Sequence, residues 1–136
     1  MPLDIGAHAV NDTAEIPLRD AADQPILGDD GAQASITVYG PGSRAYQRAM
    51  GEQQTRLVQA MQRKGKPEET PEARALRQAQ TLAACTVAFN GFGYKGLSGH
   101  ELFVAVYSEP ALGFIADQVN RAIGDWANFT KSSAKS

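Results

Sequence analysis

The chain has 136 residues, 43% of them hydrophobic and 21% charged, with a formal net charge of -2. These values are ordinary for one soluble globular domain, long enough to hold a core without covalent staples. A single cysteine, Cys85, excludes an internal disulfide and a multi-cysteine metal site; only His8 and His100 accompany it, which argues against structural zinc, and no apolar run nears the ~20 residues that span a bilayer.

Residues 1–14 have no hydrophobic period and read as a flexible arm. They lack the basic start and apolar middle of a signal peptide, so a cytosolic protein is expected. From Glu15 the pattern turns β-like. Ile16 and Leu18 alternate with polar neighbours, and Pro17 marks an edge strand because it cannot donate to a ladder. Asp30-Gly31 supplies a turn pair suited to positive φ. Ala34, Ile36 and Val38 then alternate with Ser35, Thr37 and Tyr39. Residues 15–39 are thus expected to form a small antiparallel β meander, which must pack on something to be stable.

Gly40-Pro41-Gly42 breaks the strand, and Ser43 suits a helix N-cap. A helix over 43–64 carries Tyr46, Met50, Leu57 and Met61 on one stripe and ends at Lys64-Gly65. At 1.5 Å per residue it is roughly 33 Å long, against a radius of gyration of about 14 Å for a compact chain of this size. It therefore crosses the domain or protrudes from it. Lys66 to Glu69 is a charged linker. Thr70-Pro71-Glu72 starts a second helix, 71–88, whose alanine-rich face predicts an antiparallel hairpin with the first.

Residues 89–97 interleave Phe89, Phe92 and Tyr94 with Gly91, Gly93 and Gly96 in a loop. Ser98 and Glu101 have the spacing of a capping box for a helix over 99–107. Ser108 and Pro110 open a last helix, 109–126, with Leu112, Ile115, Val119, Ile123 and Trp126 as its apolar stripe. Residues 130–136 are polar and expected to be a disordered tail. The fold class is α+β, mainly α: a small N-terminal antiparallel β meander followed by about four helices, in a single domain over 15–129.

A catalytic site is hard to assemble from these residues. His100 sits beside a helix cap and reads as a surface histidine, and Cys85 lies on an alanine-rich face and reads as a buried apolar thiol. Gly91, Gly93 and Gly96 match G-x-G-x-x-G, but the strand before them is poor and aromatics fill the variable slots, so a mobile loop is the better reading. No enzyme, cofactor or metal is expected. The charge is uneven. Residues 1–40 hold seven acids and one arginine, residues 41–80 eight bases and four acids. Arg44, Arg48, Arg56 and Arg63 fall near helical spacing, which could serve nucleic acid. No stacking aromatics accompany them, and the pI is near 5.6. A solvated face, or one that meets acidic protein, is preferred.

Two runs together resemble a known family. Ile36-Thr-Val-Tyr-Gly-Pro-Gly-Ser-Arg-Ala-Tyr-Gln47 is similar to a strand that ends at glycine and enters a helix through S-x-x-Y/F-Q. Tyr107-Ser-Glu-Pro-Ala-Leu-Gly-Phe-Ile-Ala-Asp-Gln-Val119, closing with Asp125-Trp-Ala-Asn-Phe129, is similar to Y-x-x-P-x-x-x-x-I-x-x-Q-V followed by x-N-F. Their order resembles tail assembly chaperones of long-tailed (siphovirus- or myovirus-like) bacteriophages, over roughly residues 16–129. The sequence departs from the pattern at Asp125-Trp126, where a polar or basic residue is expected, and this leaves Trp126 open as core or contact.

The resemblance implies a non-enzymatic protein of the host cytoplasm that binds the tape-measure protein, keeps it soluble, helps recruit tail-tube subunits, and is absent from the mature virion. Such a chaperone needs a groove that tolerates many sequences, built from flexible methionine and aromatic side chains. Met50, Met61, Phe89, Phe92 and Tyr94 are candidates, with Trp126 and Phe129 from the closing run; the alternative is that they belong to the core. Repeated copies along one client would supply avidity, so a homo-oligomer is expected. The competing readings are a small nucleic-acid-binding regulator using helix 43–64 and a structural tail or head-completion protein.

Overall fold

A computed structural model describes residues 2–62 and 70–130, except the side chains of Ala60 and Met61. Strand β1 (Thr13–Pro17) pairs antiparallel with β2 (Ser35–Tyr39), from Thr13 opposite Tyr39 to Pro17 opposite Ser35. The predicted alternation holds: Ala14, Ile16, Ala34, Ile36 and Val38 are buried. The Leu18 N–H donates to the Ala34 carbonyl at 2.9 Å, so alternate residues of this strand aim their backbone groups at β2. Pro17 falls on the other parity, and its missing N–H faces the open edge, where a proline costs least.

The connection over 18–34 is two tight turns. Isolated bridges join Arg19 to Pro25 and Leu27 to Gln33. Ile26 wedges between the strand ends, its N–H donating to Leu18 O and its carbonyl accepting from Ala34 N–H. Gly31 has φ +83°, as the Asp30-Gly31 turn requires. The segment 1–14 expected as an arm contains local structure before β1. Ile5–His8 forms a 3-10 turn, Thr13 and Ala14 are already strand, and the Asn11 N–H donates to the Phe129 carbonyl at 2.7 Å.

Helix α1 (Arg44–Gln62) starts as predicted. The Ser43 hydroxyl accepts from Tyr46 N–H at 3.1 Å and donates to Gly40 O at 2.8 Å. The expected stop at Lys64-Gly65 and the linker 66–69 lie outside the described residues. Helix α2 (Pro71–Ala84) is capped by Thr70, whose hydroxyl accepts from Ala73 N–H at 3.1 Å. Tyr46 and Met50 near the start of α1 share a cavity with Leu82 and Cys85 at the end of α2, so the two helices form the predicted antiparallel hairpin.

The second helix is shorter than the 71–88 expected. It stops at Ala84, and Thr86–Asn90 is a third strand, β3, on the far side of β2. Ile36 pairs with Phe89, Thr37 with Ala88 and Val38 with Thr86, which leaves Val87 bulged and 41% exposed. The physical reason is the second edge of β2: its N–H and carbonyl groups need partners, and Thr86, Val87 and Phe89 are strand formers. The result is a three-stranded antiparallel sheet of order β1-β2-β3.

Helix α3 (Gly99–Ser108) forms without the predicted capping box, since the Ser98 side chain makes no cap bond and Gly99 opens the helix at φ +62°. The expected helix 109–126 is divided. Pro110–Leu112 is a 3-10 turn capped by Glu109, not Ser108; α4 spans Gly113–Ile123; Trp126–Phe129 is another 3-10 turn, started by the Asp125 carboxylate accepting from Ala127 N–H at 3.0 Å. Gly124 and Asp125 end the helix before its apolar stripe does. Of the expected tail 130–136, Thr130 caps the last 3-10 turn and residues 131–136 lie outside the described ones.

The fold is α+β and mainly α. Helix α2 packs on α3, α3 on α4, and α4 lies against β2. Leu18, Ile36 and Val38 of the sheet region meet Leu82, Val106, Val119 and Phe129 in one core. Of the described side chains of α1, Ala49 alone is a buried hydrophobic. The longest helix is therefore the least integrated one. No helix among the described residues is long and apolar enough to cross a membrane.

Candidate interaction surface

The residues weighed for chemistry in the sequence are His8, His100 and Cys85. His8 and His100 are exposed and make no side-chain hydrogen bond among the described residues. Cys85 is buried, and burial pushes its thiol up to about 11, away from the thiolate a nucleophile requires. Among the described residues no cluster of three or more His, Cys, Asp or Glu could hold a metal ion. The loop 91–96 does follow a strand and precede a helix, contrary to the sequence reading. That strand belongs to an antiparallel sheet, so the parallel βαβ setting of a dinucleotide site is missing here.

The seven candidate contact residues fall into separate places. Phe89 of β3 is the centre of an aromatic cluster. Its ring stacks on Phe92 at 4.6 Å, tilts against Phe103 at 4.7 Å and meets the edge of Tyr107 at 5.8 Å. The Tyr107 hydroxyl is 2.7 Å from Thr86 Oγ1, which donates to Leu82 O at 2.8 Å, so the buried end of the cluster is tied to α2. Phe92 and Tyr94 pack partly on the core and stay partly open, with Lys95 Nζ over the Tyr94 ring at 5.1 Å. This surface offers apolar area next to a cation.

Met50 lines a different space, a cavity of about 310 Å³ between α1, α2 and α4, together with Tyr46, Leu82 and Ile123. The Met61 side chain lies outside the described residues. Phe129 is fully buried, so it is corrected from contact to core: its ring fills the space above Gly40. Trp126 is 55% exposed and rests near Gly42, which answers the question left open by the sequence in favour of a surface position.

Sequence reasoning did not single out the exposed apolar residues of the helical pair, Val58 on α1 and Leu76 on α2, at 42% and 45%, nor Leu3, Ile5, Leu27 and Val87 elsewhere. For Val58 and Leu76, counting which apolar positions of the hairpin had no facing partner would have found them. The two runs that carry the resemblance meet in space. The glycines of Tyr39-Gly-Pro-Gly42 lie under Phe129 and Trp126 of the closing run. In comparisons with known proteins, no family model, no curated protein and no solved structure matches this chain.

Proposed function

We propose that the chain is a bacteriophage tail assembly chaperone that binds the tape-measure protein, keeps it soluble and helps recruit tail-tube subunits. The observation that carries the reading is the meeting of the two resembling runs: residues nearly ninety positions apart interlock, Phe129 on Gly40 and Trp126 by Gly42, as parts of one structural unit would. Two apolar surfaces support client binding. One is the half-open ring pair of Phe89 and Phe92 with Tyr94 in the loop that follows; the other is the α1–α2 hairpin, where Val58 and Leu76 are exposed and Met50 lines the cavity towards α4. Rings and thioethers adapt to varied apolar partners, which a long helical client presents.

The proposed action is non-enzymatic and takes place in the host cytoplasm, with the protein absent from the finished particle. Co-expression with the tape-measure gene of the same genome tests it. The client should become soluble and copurify, and Phe92→Ser with Val58→Ser should reduce copurification while the chain stays folded. An insoluble client that never copurifies overturns the reading, and peptides of this chain in purified virions would favour a structural tail protein.

A further inference from the structure

One groove plays no part in that reading. It lies between the turn after β1 and α4 and encloses about 500 Å³. Its less exposed lining is Ile16, Phe114 and Ala122 with Gln118 and Asn128, and its exposed lining carries Asp20, Asp23, Asp117 and Asp125. Two arginines also border it. Arg19 is engaged by Asp23, through the carboxylate at 3.9 Å and the carbonyl at 3.2 Å, and Arg121 is the other. Four acids against two bases leave the groove at -2.

The same chain carries the opposite surface. Arg44, Arg48 and Arg56 are exposed along one side of α1, spaced by four and eight residues, with Glu52 between them. None of the three forms an ion pair or side-chain hydrogen bond among the described residues. The acidic first third and the basic middle of the chain therefore do not neutralise one another through this row within one molecule.

We propose that the two surfaces are partners across copies: the Arg44–Arg48–Arg56 side of α1 in one molecule docks in the acidic groove of the next. Arginine suits both parts of the groove. Its aliphatic stem covers the apolar side chains while the guanidinium reaches the exposed carboxylates in a forked geometry. The two surfaces are different, so the contact is heterologous and repeats head to tail, as an open chain or a ring. Nucleic acid would also attract three arginines. Glu52 inside the row and a matching acidic groove on the same chain favour a second copy. The proposal requires no client, so its failure leaves the chaperone reading standing, and the reverse holds too.

Sedimentation velocity of the purified full chain tests it. At low salt the mean mass should rise with concentration; at about 0.5 M salt, where screening acts within a few Å, it should return to that of the monomer. One variant, Arg44→Glu with Arg48→Glu, loses the cationic row and keeps the groove. Another, Asp23→Asn with Asp117→Lys, loses the acidic groove and keeps the row; asparagine tolerates the φ of +65° at position 23. Each alone should sediment as a monomer with an unchanged circular dichroism spectrum. Mixed in equal amounts they should form a one-to-one dimer and stop there, because one intact row meets one intact groove. A wild-type chain that stays monomeric at low salt overturns the proposal. So does association that either variant leaves intact, or a mixture of the folded variants that remains monomeric. Binding of a short DNA duplex that the arginine variant loses, without self-association, assigns the row to nucleic acid and also overturns it.

Discussion

Replacing Gly40 by alanine should be among the most damaging small changes available to this fold. A Cβ at that position would lie 2.4 Å from Phe129 Cδ2, 2.6 Å from Cε2 and 2.7 Å from Cγ. Carbon atoms in good contact sit at about 3.5–4.0 Å, so the ring must withdraw by roughly 1 Å or more. It has nowhere to go: Phe129 is fully buried, and its own carbonyl is held by Asn11 N–H at 2.7 Å. Overpacking of this kind costs about 1–3 kcal/mol, and the rigid ring places Gly40→Ala near the upper end. Phe129→Leu alone should cost about 1–2 kcal/mol through lost contact and a partial cavity. If the clash is the cause, the two changes are strongly coupled, and Gly40→Ala added to Phe129→Leu should cost about 2 kcal/mol less than in the wild type. Urea unfolding followed by far-ultraviolet circular dichroism gives the free energies, and Trp126 fluorescence reports on the same corner. Strict additivity, or a Gly40→Ala cost below about 0.5 kcal/mol, refutes the packing argument.

Other outcomes follow from the hydrogen-bond and ionisation pattern. Gln118 pairs with the backbone of Arg19 like one residue of a neighbouring strand, accepting from its N–H at 3.0 Å and donating to its carbonyl at 2.6 Å; Gln118→Ala should cost about 1 kcal/mol and speed amide exchange at Arg19, and unchanged exchange there would show that the contact does not form. Tyr107→Phe leaves Thr86 Oγ1 its bond to Leu82 O and removes its bond to the phenol, so it should cost about 1 kcal/mol, read from urea midpoints. Burial raises the Cys85 thiol from 9.0 to about 11 and raises the Tyr107 phenol in the same direction. Above pH 9 the unfolded chain therefore ionises groups that the folded chain keeps neutral, so these two groups should leave stability unchanged below pH 9 and lower it between pH 9 and 11; Cys85→Ala should make that fall shallower. The same burial predicts that Cys85 resists a thiol reagent at pH 8 until denaturant is added, and fast labelling of the native chain would contradict it.

The starts of α1 and α2 were the most legible features because their signals are local. Ser43 and Thr70 each cap within three residues, and Pro71 fits the first turn on its own. The strand over 86–90 was not legible because its cause lies elsewhere in the chain. Alanines at 79, 83 and 84 continue a helical look up to Cys85, while the demand for a strand comes from the unpaired side of β2, fifty residues earlier. The last helix was overextended for a related reason: the apolar spacing runs through to Trp126, but Gly124 and the Asp125 turn decide the end. The aromatic loop was recognised as unusual, yet Phe103 and Tyr107, which anchor it, sit in the next helix. Phe129 read as a contact candidate because it belongs to the closing run of the resemblance. The counter-signal was Gly40, a residue with no side chain in the place where a ring had to fit.

The order of the sheet carries a consequence for how the chain folds during synthesis. β2 lies between a strand made before it and one made after both α1 and α2. When residues 13–39 leave the ribosome, β1 and β2 can pair as a hairpin, but a lone hairpin is marginal in water. The second side of β2 stays open until residue 90 has emerged, and the space above Gly40 stays empty until Phe129 arrives. The sheet therefore closes over a long loop, with the α1–α2 hairpin as the insert, and its apolar face is the last part of the molecule to be covered. A nascent chain stalled before residue 90 should hold an incomplete sheet, with a free strand edge that a neighbouring nascent copy could occupy.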